Sequence, residues 1–199
     1  MEYLSPFGVG FIAAFVGLIA PSMLNMTAAK TSLEKGKSNG LKFAAGAASV
    51  VIIQAFVAVF FADMITPEII TKLQTAAIFV LLALAFFFYK QARKEFKASG
   101  KDKKGSSYMV GFGMSSLNML AVPFYLVAAK SSGISLVAPY QYIFVIGAAL
   151  GAFTIFAIYA SFAEVIAKKA AFIAKNINYI LAGLFVILAL ASAYKVLTA

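Results

Sequence analysis

The chain has 199 residues, of which 63% are hydrophobic and 12% charged, with a mean hydropathy of +0.94. A water-soluble domain averages about 45 to 50% apolar and about 25% charged, so the solvent for most of this chain is lipid. Neither Cys nor His occurs, which excludes disulfides, thiol and histidine-dependent catalysis, and the usual zinc or haem ligands.

A bilayer core of about 30 Å needs about 20 apolar residues as helix. Six stretches meet that length, at 7–29, 43–62, 69–89, 108–129, 140–163 and 177–197. The first has nothing basic before it, Glu2 being the only charged side chain there, and more spans after it, so it does not read as a cleaved signal peptide. Within it, Pro21 removes a backbone donor and clashes with the preceding turn, which predicts a broken helix. In lipid such a break is tolerated only where it is buried in protein or lines a polar cavity. Ser22, Asn25 and Thr27 follow the proline and can supply partners for the freed carbonyls. The chain is expected to leave the membrane at Lys30, cross a short basic turn and re-enter at Phe43. Gly36 and Gly40 lie in that turn, where they permit a tight re-entry, and Gly46 lies just inside the second span. In the fifth span Gly147 and Gly151 suit close helix contact.

The net charge of +10 comes from seventeen Lys and Arg against seven Asp and Glu. In a soluble protein that balance would suggest nucleic acid; here the basic residues flank apolar segments and read as orientation signals. Lys30, Lys35, Lys37 and Lys42 follow the first span, seven more lie between Lys90 and Lys104, and Lys168, Lys169 and Lys175 follow the fifth. Only Lys72, Lys130 and Lys195 fall on the other side. This bias puts loops one, three and five in the cytoplasm and both termini outside. The fold class is therefore an all-α integral membrane protein with six transmembrane helices in a single domain over 1–199. A first half (1–96) and a second half (108–199) flank a basic, flexible cytoplasmic linker (97–107).

Three spans on each side of the linker suggest duplication. Ser22-Met23-Leu24-Asn25-Met26 returns as Ser115-Ser116-Leu117-Asn118-Met119, and each copy leads to Ala-Ala-Lys, at Lys30 and Lys130. An odd number of spans per half inverts the second copy, giving two inverted three-helix repeats with broken helices one and four. Pro123 is the second candidate breaking residue.

Polar groups at membrane depth are costly unless they face one another or a cavity, so they are the candidates for function. Ser and Thr commonly bond back to their own helix, as Ser49, Ser116, Thr154 and Ser161 can. An amide seldom satisfies all its donors and acceptors that way. Tyr125 and Tyr159 also stand at depth. The substrate-binding candidates are Pro21, Ser22, Asn25, Gln54, Ser115, Asn118, Pro123 and Tyr125. A half-helix end exposes N–H groups or carbonyls, suiting a carboxylate and a cation respectively, and an amino acid zwitterion presents both. No ionisable residue sits at the middle of a span; Asp63, at the outer end of the second, is the candidate for coupling to an ion gradient.

These features resemble the lysine-exporter and threonine/homoserine-exporter family of bacterial amino-acid efflux proteins. That family carries an early Pro-Gly-Pro followed by spaced glycines, matched here by Pro21-Ser22-Met23 and then Gly36, Gly40 and Gly46. It continues at the fourth span with Gly-Phe, Leu-Asn-Pro-Lys-Ala and an aromatic pair. Gly111-Phe112, Leu117-Asn118-Met119-Leu120-Ala121 and Phe124-Tyr125 stand at those places. Ser22 and Met23 replace a Gly-Pro, and Met119 and Leu120 replace a Pro-Lys, so the counter-charge of that lysine is missing. The resemblance implies export of amino acids or related metabolites from a bacterial inner membrane.

The resulting expectation is a secondary transporter exporting small amino acids or similar metabolites by alternating access, through a closed, partly polar cavity between the halves. Its partners are a small-molecule substrate and the lipid bilayer, with no nucleic acid and no cofactor; its apolar faces also suit a homo-oligomer. A small-ion channel or carrier and a non-transporting assembly subunit are the alternatives. An enzyme is not expected, since no His, Cys or paired carboxylates at depth remain to carry acid–base or metal chemistry. Alanine at Asn25 or Asn118 is expected to abolish transport.

Overall fold

The computed structural model describes residues 3–19, 22–62, 105–118 and 120–166, with scattered helical positions between 78 and 90 and between 168 and 194. Pro21, Asp63 and Met119, most of the 97–107 linker and most of the third and sixth predicted spans lie outside the described residues. Six helices are delimited: α1 (Leu4–Gly17), α2 (Met23–Lys35), α3 (Lys37–Phe60), α4 (Ser107–Ser116), α5 (Ala121–Ser131) and α6 (Tyr140–Ser161). All regular structure among the described residues is helical. The chain forms two compact units, one from Met1–Asp63 with Gly100–Lys168, the other from Met64–Ser99 with Lys169–Ala199.

Local chemistry explains where these helices begin and end. Gly36 joins α2 to α3 with φ of +88°, in the region where a side chain is strained. Asn39 reinforces the turn by donating its amide to the Lys35 carbonyl at 2.6 Å. The turn is tighter than the sequence suggests: helix persists to Lys35 and resumes at Lys37, six residues before the expected re-entry at Phe43. Pro123 breaks nothing. It occupies the first turn of α5, where its missing N–H has no helical acceptor to lose, and the interruption precedes it at 117–120.

Among the described residues, α3 and α6 are each long and apolar enough to cross a membrane. The α4 and α5 pair, bent by 70° at its break, makes a third candidate span if taken as one. Alanine is the commonest buried residue in the first unit, beside a few large rings such as Phe43, Tyr125, Phe144 and Phe156, while many large aliphatic side chains lie outside. Ala14, Ala28, Ala44, Ala47, Ala55, Ala148 and Ala152 are fully buried, while Ile12, Val16, Ile53, Phe60, Ile146 and Phe162 are exposed. Water would oppose that arrangement; lipid permits it, because helices there associate through close packing of small residues.

Glycine sets the closest approaches, and these come in a reciprocal pattern. A Cβ at Gly10 in α1 would overlap the Phe144 carbonyl and Ala148 nitrogen of α6; one at Gly111 in α4 would overlap the Phe43 carbonyl and Ala47 nitrogen of α3. Conversely, Gly46 of α3 meets Tyr108 and Phe112, and Gly147 of α6 meets Phe7 and Phe11. Every residue in one set stands 101 positions from its counterpart in the other, as Gly10 does from Gly111 and Phe43 from Phe144. The same offset carries buried Ala28, Ala47, Val51, Ala58 and Ala62 onto buried Ala129, Ala148, Ala152, Tyr159 and Ala163. The α1–α3 and α4–α6 segments thus exchange contacts as if related by an internal two-fold axis. The pentapeptide match is not in this register, because Ser22 and Ser115 stand 93 positions apart; the packing pairs Ser22 with Pro123 and Ser115 with Ala14.

Because Gly111 faces backbone atoms, which cannot rotate away, Gly111→Leu is expected to lower stability by about 3 kcal/mol or prevent folding. Gly113 has open space around its Cα, so Gly113→Leu is expected to match the wild type. Thermal melting in detergent, followed by fluorescence-detected size exclusion, checks the pair; equal melting of both variants would remove the close-packing account.

Candidate functional site: side chains that hold two helix breaks

The interruption between α1 and α2, at 18–22, frees carbonyls that an unbroken helix would use internally. Ser22 caps α2, its hydroxyl accepting from the Asn25 backbone N–H at 3.3 Å. Asn25, with 0% exposure, turns its amide back and donates to the Leu18 carbonyl at 2.6 Å. The next carbonyl, of Ile19, accepts from the Tyr159 hydroxyl of α6 at 2.9 Å. That hydroxyl also engages the Asn25 side chain.

The second interruption is held the same way from the other long helix. Leu117 and Asn118 tighten the end of α4 by donating their N–H groups to the Met114 and Ser115 carbonyls. Gln54 of α3 then reaches across and donates Nε2 to both the Ser115 and Asn118 carbonyls, each at 3.1 Å. Gln54 is 7% exposed, and its Oε1 is buried with no hydrogen-bond partner among the described residues. Under the offset of 101, Gln54 corresponds to Ile155 and Tyr159 to Ala58, one helical turn away on each long helix. Each long helix therefore carries one polar side chain that bonds the break in the opposite segment.

The candidate residues divide accordingly. Gln54, Ser115 and Asn118 come together, with Ser115 and Asn118 contributing carbonyls; the Asn118 side chain is half-buried. Asn25 and Ser22 form the second group, where Ser22 is exposed and serves as a helix cap. Pro123 is exposed in the first turn of α5. Tyr125, 2% exposed, is a core residue with its ring edge-on to Phe124 at 5.4 Å between centroids. Pro21 and Asp63 lie outside the described residues. Thr27, Ser49, Ser116 and Thr154 each bond back to the carbonyl four residues earlier. Tyr159 is the participant that the substrate-binding candidates omit. Its signal in the sequence is the repeated Val-Gly-Phe at 9–11 and 110–112, with Phe-x-x-Gly-Ala at 43–47 and 144–148, which sets Tyr159 one turn beyond the Gln54 counterpart.

Electrostatically the site is a pair of carbonyl clusters held by neutral donors. Among the described residues, no carboxylate or basic group contributes to the bonds at either break. Two shallow grooves occur elsewhere, one along α6 past Phe153, Ala157 and Phe162, the other in the second unit beside Phe86 and Tyr179. Neither touches Asn25, Gln54 or Asn118.

Comparison with models of known protein families, with curated proteins and with solved structures returns no match.

A buried carbonyl left without its donor costs about 1 to 3 kcal/mol. Tyr159→Phe leaves the Ile19 carbonyl without its donor, whereas the Ser115 and Asn118 carbonyls released by Gln54→Leu still accept from the Asn118 and Ala121 N–H groups; both variants are expected to melt earlier than the wild type in detergent, Tyr159→Phe by the larger margin. Wild-type melting of Gln54→Leu would show that the break holds itself.

Proposed function

We propose that the chain is a secondary transporter of a bacterial cytoplasmic membrane, exporting small amino acids or related metabolites by alternating access. On this reading it has six spans arranged as two inverted three-helix repeats, with loops one, three and five in the cytoplasm and both termini outside. The observation that carries the reading is the crossed bonding of the two breaks: α3 holds the interruption between α4 and α5, and α6 holds the one between α1 and α2. Rocking one segment against the other would have to exchange those bonds, which makes them a natural gate. Interrupted helices at membrane depth, held by side chains across a repeat interface, are the elements from which many secondary transporters build their sites. The reciprocal contacts between α1–α3 and α4–α6 support the repeats, and the apolar exterior supports the membrane.

The resemblance to the lysine-exporter and threonine/homoserine-exporter family supplies the direction of transport and the substrate class. Since Asn118 gives its carbonyl to Gln54, alanine at that position keeps the bond; Gln54 and Asn25 are the more direct test positions.

Cells expressing the chain are loaded with mixed amino-acid dipeptides, and each amino acid is followed in the medium by mass spectrometry. Selective release is expected from the wild type and from Ser116→Ala, with a fall of about tenfold in Gln54→Leu and Asn25→Leu, each of which loses side-chain hydrogen bonds that hold a break. If wild-type protein verified in the membrane releases no amino acid, the proposal is wrong.

A further inference from the structure

We propose that the groove in the second unit holds an acyl chain of an anionic phospholipid, whose headgroup lies at the Lys90 end. This depends on the apolar exterior facing a bilayer, and not on the transporter reading.

Two helical stretches build the groove. Leu82, Phe86 and Tyr89, spaced to share one helix face, form one wall; Tyr179, Gly183 and Val186, at the same spacing, form the other. Ala85 and Ala182 are buried between them and make the floor. The Tyr89 and Tyr179 rings meet edge to face at one end, 6.3 Å between centroids, so the two stretches run antiparallel along the groove. Seven residues of helix extend about 10 Å. The hollow offers about 400 Å³, within the range of small-molecule sites. Gly183 has open space around its Cα, so the second wall lacks a side chain midway.

Side chains that line a void lose their dispersion partners, so in a bilayer such a hollow draws in something apolar. Water gains little there, because the walls are aliphatic and aromatic and offer it few polar partners. An acyl chain meets that need, and the charge at the ends selects its headgroup. At the tyrosine end Lys90 is exposed and holds its Nζ 5.1 Å from the centre of the Phe86 ring, which keeps the positive charge beside the wall. Four basic residues and one acidic stand in the sequence at 90–97, and Lys168, Lys169 and Lys175 precede Tyr179. Toward the opposite end the sequence is uncharged, over 73–81 and 187–194. Positive charge at one end and an apolar hollow leading away from it match an anionic phospholipid in order and in sign. A zwitterionic headgroup cancels its phosphate with an ammonium, whereas an anionic one keeps its net charge. Each Lys or Arg near that charge adds about fivefold in affinity.

The chain, purified in a neutral detergent, is titrated with dioleoyl phosphatidylglycerol or dioleoyl phosphatidylcholine. Retained lipid is counted by native mass spectrometry, and the thermal shift, which reports affinity through mass action, is read alongside. The wild type is expected to hold one phosphatidylglycerol and to prefer it by about fivefold or more. Lys90→Gln should lower that preference about fivefold, whereas Lys42→Gln, which removes an exposed charge from α3, should leave it unchanged. Gly183→Phe fills the groove and should release both lipids; if it does not fold, Lys90→Gln decides alone. Equal affinity of the wild type for the two lipids, an undiminished preference in Lys90→Gln, or the same loss in Lys42→Gln overturns the proposal, as does lipid retained by Gly183→Phe. Stabilisation by glycerol phosphate equal to that by phosphatidylglycerol would make the basic end a free-phosphate site. A lipid-free dimer that Gly183→Phe splits would give the groove to a second copy of the chain. Either of these also overturns it.

Discussion

A helix interrupted in an apolar interior must find donors for the carbonyls it frees, and water is not there to provide them. Much of the first unit follows from that constraint. Asn25 folds back onto Leu18, Tyr159 reaches Ile19, and Gln54 spans Ser115 and Asn118. Two of these three donors come from a long helix belonging to the other segment. The breaks are therefore stable only while α3 and α6 lie against them, so local irregularity and tertiary packing depend on one another.

Glycine and alanine make that proximity possible. With Gly46 against Tyr108 and Phe112, and Gly111 against Phe43 and Ala47, the backbones of α3 and α4 come close enough for Gln54 to cover the break further along. The α1 and α6 pair does the same through Gly10 and Gly147, bringing Tyr159 to the first break. Small residues thus act at a distance from the polar bonds they enable. Many large aliphatic and aromatic side chains, Ile53, Phe60 and Ile146 among them, lie on the exterior, which is a distribution lipid tolerates.

Hydropathy and length were enough to mark α3 and α6 from the sequence, because a span of about 20 apolar residues has few alternatives. α6 falls close to the segment expected at 140–163, α3 ends near 62 but begins six residues before 43, and the interruptions in the first and fourth stretches occur where helix breakers or polar residues crowd. The amides were legible for a chemical reason: Asn25 and Gln54 cannot satisfy themselves within one helix. Other features were hidden. A sequence does not tell whether Asn118 acts through its side chain or its carbonyl, and the carbonyl is the atom bonded here. The pentapeptide shared by 22–26 and 115–119 concealed the true spacing, since the residues that govern packing are single glycines among many alanines. Tyr159 gave no sign of its partner because Ile19 contributes only backbone.

The offset of 101 residues relates positions along the chain, not the volumes that stand at them. Counterparts under it are not equal in size: Ala55 answers to Phe156, Ala58 to Tyr159 and Leu24 to Tyr125, all buried. At Val51 and Ala152 the bulk stands in the first segment instead, so the two segments fill the interior with different side chains and neither repeats the volumes of the other.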